Sequence, residues 1–293
     1  MRAHTLDPNR YLYWSIVLAA AIFAILMVYP QLRALTLPPE RPETGTPPQT
    51  EDRPSPPQSY TSLLTNARAR LATLPAGTTE RKDIADRLRA DAIGIGFTSS
   101  PDLTRAAELQ ARSMAEFRFR SRVDQNGMDA AERLAMLDRV NLYSLVDEGF
   151  GTAPSSGTPD KIHMHIAAAL DVNGAASIKS AAYNLFGVGC VEGGGEVICV
   201  RTVAKRGGKL DRPLPPAMPR GSAFDIQPTL ENGATPTQLL LRDTVGVDRS
   251  PNPGTFSGQV RLPGGYAGLL RLRIVVRQGD QEFELRGPTV DAR

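Results

Sequence analysis

The chain has 293 residues, of which 41% are hydrophobic, so it can build a packed core and is not disordered throughout. The 34 Lys and Arg residues nearly balance the 31 Asp and Glu residues, and the net charge of +3 does not indicate a nucleic-acid binder. The two cysteines exclude a four-cysteine zinc site, and the 24 prolines exceed the usual share of about 5%.

Residues 11–30, YLYWSIVLAAAIFAILMVYP, predict a transmembrane helix. The run from Trp14 to Tyr29 carries no charge, and with its flanks it covers the roughly 30 Å hydrocarbon core of a bilayer. The alternative is a cleaved signal peptide, whose apolar core is usually about 7–15 residues and is followed by a small-x-small cleavage site. The run here is longer, and the following QLRALTLPPE contains no such site, which favours a retained anchor.

The charges that flank this helix predict its orientation. Arg2 and Arg10 lie in the tail of residues 1–10 before the helix, whereas only Arg33 follows it closely. Positive residues are retained on the cytoplasmic side of a membrane helix. We therefore expect a single-pass protein of the bacterial inner membrane, with a cytoplasmic tail and most of the chain in the periplasm.

Residues 31–59 predict a proline-rich linker, because eight prolines lie between Pro38 and Pro57. Proline fixes φ and lacks an amide donor, and few apolar side chains remain in this stretch to form a core. Twenty such residues at about 3.1 Å each reach on the order of 60 Å. The linker is expected to hold a folded unit away from the membrane.

Residues 60–150 predict a small helical module in the periplasm. The clearest helix start is Ser100-Pro101-Asp102, where a capping hydroxyl, an N1 proline and an acidic first-turn residue follow one another. Three or four helices are expected, over roughly Tyr60–Leu74, from about Thr79, from Ser100, and from about Asp129 to Gly149.

A local basic cluster follows the third of these helices. Arg118, Arg120 and Arg122 alternate with Phe117 and Phe119. Basic and aromatic residues together can bind nucleic acid or acidic lipid headgroups. A solvated helix end with Phe117 in the core is the favoured interpretation, because the region is expected outside the cytoplasm.

Residues 160–206 predict a β-hairpin region with a disulfide. KIHMHIAAALDV is interpreted as a strand in which Ile162, Met164 and Ile166 alternate with two histidines. Further along, NLFGVGCVEGGGEVICVRTV predicts a hairpin turning at Gly194-Gly195.

The register of that hairpin places Cys190 opposite Cys199 at a non-hydrogen-bonded pair. The Cα atoms of such a pair approach to about 4.5 Å, which suits a disulfide. The expected periplasmic compartment is oxidising, so we predict that Cys190 and Cys199 are bonded.

Residues 221–293 predict short antiparallel strands that form a β-sandwich. This sandwich resembles an immunoglobulin domain in its architecture only. A turn at Gly279-Asp280 pairs Arg277 with Glu282 and Ile274 with Leu285. The apolar side is expected to hold Leu270, Leu272, Ile274 and Val276, and the wet side Arg271, Arg273 and Arg277. The predicted fold class is therefore α+β, with a helical module followed by an antiparallel β-rich region.

The sequence contains none of the common catalytic or nucleotide-binding motifs, and it predicts no cofactor. The strongest candidate for a metal site is His163-Met164-His165. Two histidines at i and i+2 of a strand share a face, and imidazole binds copper or zinc. A solvated strand face is the simpler interpretation. The adjacent Asp147 and Glu148 point in different directions and do not predict an acid–base pair.

These features predict a non-catalytic, membrane-anchored binding or scaffolding protein. Its expected partners are the lipid bilayer, through residues 11–30, and other membrane or periplasmic proteins of a larger inner-membrane or envelope-spanning complex. Nucleic acid is not expected as a partner. The alternatives are a periplasmic metal-binding protein that uses His163 and His165, and an envelope enzyme whose site carries no recognisable motif.

Overall fold

A computed structural model describes residues 60–172, 183–251 and 255–293. The predicted tail, membrane helix and linker, residues 1–59, lie outside the described residues. Among the described residues no helix is both long and apolar enough to cross a membrane. The described residues all belong to one compact unit, residues 56–293.

Five helices form within the described residues. The start of the third agrees with its sequence signature, because the Ser100 hydroxyl accepts a hydrogen bond from the Leu103 amide and Pro101 occupies the first turn. The fourth begins with a capping box between Asp129 and Glu132. The helices are α1 (Tyr60–Ala72), α2 (Lys82–Gly94), α3 (Pro101–Phe117), α4 (Ala130–Leu137) and α5 (Pro159–Val172).

The prediction of a helix from about Asp129 to Gly149 is wrong in its second half. Helix α4 ends at Leu137, and a long strand begins at Asn141. The carboxylate of Asp138 accepts hydrogen bonds from the backbone amides of Val140 and Asn141, which fixes a turn in place of further helix. The Tyr143 hydroxyl donates to the same carboxylate at 2.6 Å and holds the strand against the turn.

The prediction of a strand at residues 161–172 is also wrong, because this segment lies in helix α5. Ile162, Ile166 and Leu170 are buried at a spacing of four residues, whereas Met164 is exposed. Over the whole segment the buried residues therefore follow the helical period of about 3.6 residues. The apolar residues at 162, 164 and 166 alternate as in a strand, but Ile162 and Ile166 are also one helical turn apart.

Twelve strands form within the described residues, and most of them belong to one sheet. The strands are β1 (Thr78–Glu80), β2 (Thr98–Ser99), β3 (Asn141–Pro154), β4 (Leu185–Gly193), β5 (Glu196–Leu210), β6 (Ala217–Met218), β7 (Ala223–Asp225), β8 (Pro228–Leu230), β9 (Thr235–Arg242), β10 (Gln259–Arg261), β11 (Gly268–Gln278) and β12 (Gln281–Ala292). A ten-stranded sheet has the main order β1-β4-β5-β3-β12-β11-β9, and β10 pairs with β7 in a second, two-stranded sheet.

The α+β class with an antiparallel β-rich region is confirmed by this arrangement. The C-terminal strands, however, do not form the expected self-contained sandwich. Strand β12 joins β3 where Arg286 lies opposite Tyr143, so β9, β11 and β12 continue the sheet that holds the N-terminal strands. Their apolar side shares a core with Phe224 and Val260 of the two-stranded sheet.

Two helical layers cover the sheet around β4. On one face α2 and α5 pack against Phe186, Val188 and Cys190. On the opposite face α3 approaches so closely that a Cβ atom at Gly189 would lie 2.5 Å from the Cα atom of Glu108. A Cβ atom at Gly187 would likewise collide with the backbone of α3. Glycines at alternate positions of β4 therefore let the helix backbone lie directly on the strand.

Both predicted hairpins form in the predicted register. Arg277 pairs with Glu282 and Ile274 with Leu285 between β11 and β12. Cys190 pairs with Cys199 between β4 and β5, and the two sulfurs form a disulfide with their Cα atoms 4.1 Å apart.

Candidate functional site

The candidate site is an arginine face on the outer side of the C-terminal strands. Alternation along β11 buries Leu270, Leu272, Ile274 and Val276, and so the arginines between them turn to the other side of the sheet. The neighbouring strands add two more arginines to that side. The arginine face consists of Arg242 on β9, Arg271, Arg273 and Arg277 on β11, and Arg286 on β12.

Two of the cross-strand pairs on this face join like charges. Arg271 lies opposite Arg242 of β9, and Arg273 lies opposite Arg286 of β12. Like charges at directly opposed positions of an antiparallel pair are destabilising. The sheet therefore carries a local electrostatic cost that nearby carboxylates relieve only in part.

Three glutamates offset the five guanidinium groups. The carboxylate of Glu284 forms two ion pairs: its Oε2 lies 2.9 Å from Nη2 of Arg242, and its Oε1 lies 3.4 Å from Nη1 of Arg273. Glu132, at the start of α4, contacts Arg271, and Glu282 lies 3.9 Å from Arg277. Arg286 is exposed and has no ion pair among the described residues. The arginine face and these carboxylates together leave an excess of two positive charges.

Arg273 is the most buried member of the arginine face. Its side chain is 14% exposed, and its Nε atom is buried without a hydrogen-bond partner among the described residues. Burial lowers the pKa of Arg273, and Glu284 opposes that shift. A buried N–H group without an acceptor is destabilising and uncommon in folded proteins.

A cleft between α4 and the sheet gives access to these arginines. It is lined by Ala131 and Ala135 of α4, Gly287 of β12, the carboxylates of Asp129 and Glu132, and the guanidinium groups of Arg271, Arg273 and Arg286. Because three of these residues have little or no side chain, a small open space remains beside the arginines, of which Arg286 is exposed and Arg273 is largely buried. Planar guanidinium forks match carboxylate and phosphate geometry, so the cleft is suited to an anionic group.

The two predicted metal-binding histidines do not share a face. They lie two residues apart on helix α5, and side chains at that spacing point to different sides of a helix. His163 Nε2 lies 2.7 Å from an Asp91 carboxylate oxygen on α2, whereas His165 is exposed. No group of three or more metal-ligating His, Cys, Asp or Glu side chains occurs within the described part of the chain.

Glu148 has a different setting from the helix end where the sequence places it. It lies in β3, 2% exposed, and accepts a hydrogen bond from Arg133, whose side chain is 0% exposed, at 2.6 Å. The Thr202 hydroxyl donates to the other carboxylate oxygen at 3.2 Å. Burial raises the pKa of Glu148, and Arg133 opposes that shift. This ion pair ties α4 to the centre of the sheet.

Sequence reasoning found part of the arginine face and missed the rest. The predicted alternation, with Arg271, Arg273 and Arg277 on the side of β11 opposite its buried apolar residues, is confirmed, although Arg273 is only 14% exposed. The register that pairs Arg277 with Glu282 also pairs Arg273 with Arg286 when it is extended, so that signal was available. Arg242 could be placed only once β9 was known to lie beside β11.

Comparison with known proteins finds little similarity. No family model and no curated protein matches the chain. Among solved structures, an outer surface protein from Borrelia burgdorferi is similar at 14% sequence identity and a TM-score of 0.36. The similarity covers 44% of this chain and 97% of that one.

Proposed function

We propose that the protein is a membrane-anchored periplasmic scaffold that docks an acidic segment of a partner protein on its arginine face. The uncharged run of residues 11–30 and the linker of residues 31–59 support an anchored, extended placement of the folded unit. The observation that carries the docking role is the opposed pair of Arg273 and Arg286, with Arg286 exposed and without an ion pair among the described residues.

An acidic protein segment suits this surface because its carboxylates would offset charges that the sheet leaves uncompensated. One carboxylate between Arg273 and Arg286 would relieve their mutual repulsion and accept guanidinium hydrogen bonds. Several carboxylates along an extended segment would reach Arg242 and Arg271 as well. Binding of this kind depends on charge and geometry and requires no catalytic group.

The full-length protein in detergent micelles provides a direct test with a defined probe. A fluorescent Glu- and Asp-rich decapeptide is titrated with the protein, beside the same peptide with Gln and Asn at those positions. We expect the acidic peptide to bind at least tenfold more tightly, with affinity falling between low and high salt because exposed charges are screened. Arg286→Gln should weaken binding about tenfold.

Arg261→Gln is the matched control, because Arg261 is exposed on β10, outside the arginine face, and the substitution changes the net charge equally. It should leave the affinity for the acidic peptide unchanged. Equal binding of the acidic and neutral peptides would contradict the proposal. So would equal losses in the Arg286→Gln and Arg261→Gln proteins, since that result would reflect net charge alone.

A further inference from the structure

A second concave site lies at the opposite end of the sheet order, around the tip of the β4–β5 hairpin. The loop before β1, the C-terminal end of α3 and the hairpin turn enclose a groove of about 590 Å3. Small-molecule sites commonly have volumes of about 300–1,000 Å3. The groove is lined by Pro75, Ala76, Gly77, Thr78, Ala115, Glu116, Arg118, Arg120, Gly193, Gly194 and Glu196.

The walls of the groove expose main chain. Gly77 and Gly194 have positive φ values of 72° and 62°, and a Cβ atom at either position would meet nothing within 4 Å. The open space beside them is therefore empty of protein atoms, and their peptide groups can be approached closely. A polar ligand could hydrogen-bond to backbone there as well as to side chains.

Two ion pairs neutralise most of the charge in the groove. Arg120 donates to Glu196 at 2.6 Å and to the backbone carbonyl of Phe119 at 2.7 Å. Arg70 donates to Glu116 at 2.8 Å. These contacts hold both glutamates, so neither is free to balance another cation.

Arg118 is the charged residue of the groove lining that neither of these ion pairs includes. It is exposed, and no hydrogen bond or ion pair joins its side chain to another described residue. Phe117 beside it is 48% exposed, so the prediction that Phe117 lies in the core is wrong. Its ring packs under the guanidinium of Arg70, 5.2 Å from the ring centroid, at the same end of α3.

The backbone at Arg118 is unusual for an arginine. This residue caps α3 with φ 54° and ψ 38°, in the left-handed region. Glycine is the common residue at such positions, and a residue with a Cβ atom is strained there. In this conformation the long cationic side chain of Arg118 lies at the mouth of the groove. Strained backbone conformations of this kind are found at ligand-binding sites.

We propose that this groove binds a small molecule that carries one carboxylate, in the size range of a di- or tripeptide. The volume sets the size, the single uncompensated guanidinium of Arg118 sets the charge, and the exposed peptide groups of Gly77 and Gly194 suit an amide-rich body. The groove shares no residue with the arginine face. The two sites are therefore independent, and either can be tested without the other.

The test uses the full-length protein in detergent micelles and two probes. Acetyl-trialanine with a free C-terminal carboxylate is compared with the same peptide as its C-terminal amide, by isothermal titration calorimetry and ligand-observed NMR. The carboxylate form should bind, with the amide at least tenfold weaker. Arg118→Gln should weaken binding of the carboxylate at least tenfold.

Two further variants separate binding from stability. Arg105→Gln changes an exposed arginine near the other end of α3, and it should leave peptide affinity unchanged. Arg118→Gly removes the strain, so it should raise Tm by about 2–4 °C while abolishing the preference for the carboxylate. Equal binding of both peptides, unchanged affinity in Arg118→Gln, or no binding of acetyl-trialanine up to millimolar concentration would each overturn the proposal.

Discussion

Arg139 donates a hydrogen bond to the hydroxyl of Tyr60 across 2.9 Å, and this contact joins the first residue of α1 to the segment that follows α4. The same guanidinium donates to the carbonyl oxygens of Leu214, Pro215 and Thr289. One half-buried side chain thus connects α1, the loop before β6 and strand β12. Tyr60 directly follows the predicted linker, residues 31–59, in the sequence.

Arg139→Met should destabilise the protein by about 3 kcal/mol, because it leaves several buried carbonyl groups without donors. Tyr60→Phe removes only one hydroxyl and should cost about 1 kcal/mol. Thermal unfolding of the purified variants measures both. Tyr266→Phe is a suitable control, since that hydroxyl makes a single long hydrogen bond of 3.4 Å to Leu269. Equal stability of the Arg139→Met variant and the native protein would contradict the role of the cluster.

The buried pair of Arg133 and Glu148 predicts a pH-dependent defect. Arg133→Met leaves an unpaired buried carboxylate and should cost about 3–5 kcal/mol at neutral pH. Burial already raises the pKa of Glu148, and loss of the guanidinium raises it further. When the pKa of a carboxyl group is higher in the folded state than in the unfolded state, protonation favours folding. This contribution to stability is fully present at a pH below the unfolded-state pKa, and it is lost as the pH rises through the folded-state pKa.

The destabilisation by Arg133→Met should therefore be smaller at pH 5 than at pH 8. Urea unfolding at both pH values measures the difference. The double variant Arg133→Met/Glu148→Leu removes both charges, and it should recover most of the lost stability at pH 8. An equal loss of stability at both pH values would show that protonation of Glu148 does not govern the defect of the Arg133→Met variant.

The disulfide between Cys190 and Cys199 should contribute about 2.5 kcal/mol, because it closes a short loop in the unfolded chain. Reduction of the native protein is then expected to lower Tm by about 5–10 °C. The variant Cys190→Ala/Cys199→Ala controls for other effects of the reductant and should unfold at the same temperature with and without it. An unchanged Tm on complete reduction would contradict this expectation.

Gly189→Ala should destabilise the protein by several kcal/mol, because the added methyl group would force α3 away from β4. The two closest atoms at this position belong to the Glu108 backbone, which cannot move aside as a flexible side chain could. Gly94→Ala serves as the control, since a Cβ atom there meets nothing within 4 Å at the end of α2. Gly94→Ala should be neutral or slightly stabilising. Chemical unfolding of both variants gives the comparison.

The local elements that sequence reasoning predicted well are those whose geometry is set by nearby residues. The turn at Gly279-Asp280 determines which residues of β11 and β12 face each other, and so the pairing of Arg277 with Glu282 was predictable. The same holds for Cys190 and Cys199. In the hairpin pairs, contact partners are few residues apart, and the period of two leaves only one apolar face.

The errors fall where a short pattern fits two periods. Ile162, Met164 and Ile166 alternate as in a strand, yet Ile162 and Ile166 are also one helical turn apart. Burial against α2 and β4 selects the helical period, and this contact joins segments that are distant in the chain. The proposed metal pair of His163 and His165 depended on the strand interpretation, and the helix directs the two rings apart.

The sequence by itself determined the uncharged run of residues 11–30, the linker composition, the two hairpin registers and the α+β class. Each of these depends on composition or on residues close together in the chain. Only the tertiary structure decided that Arg242 joins the arginine face and that Arg118 stands beside the hairpin tip. Both sites bring together segments far apart in sequence, and their positions follow from strand order and helix packing, which short-range patterns do not encode.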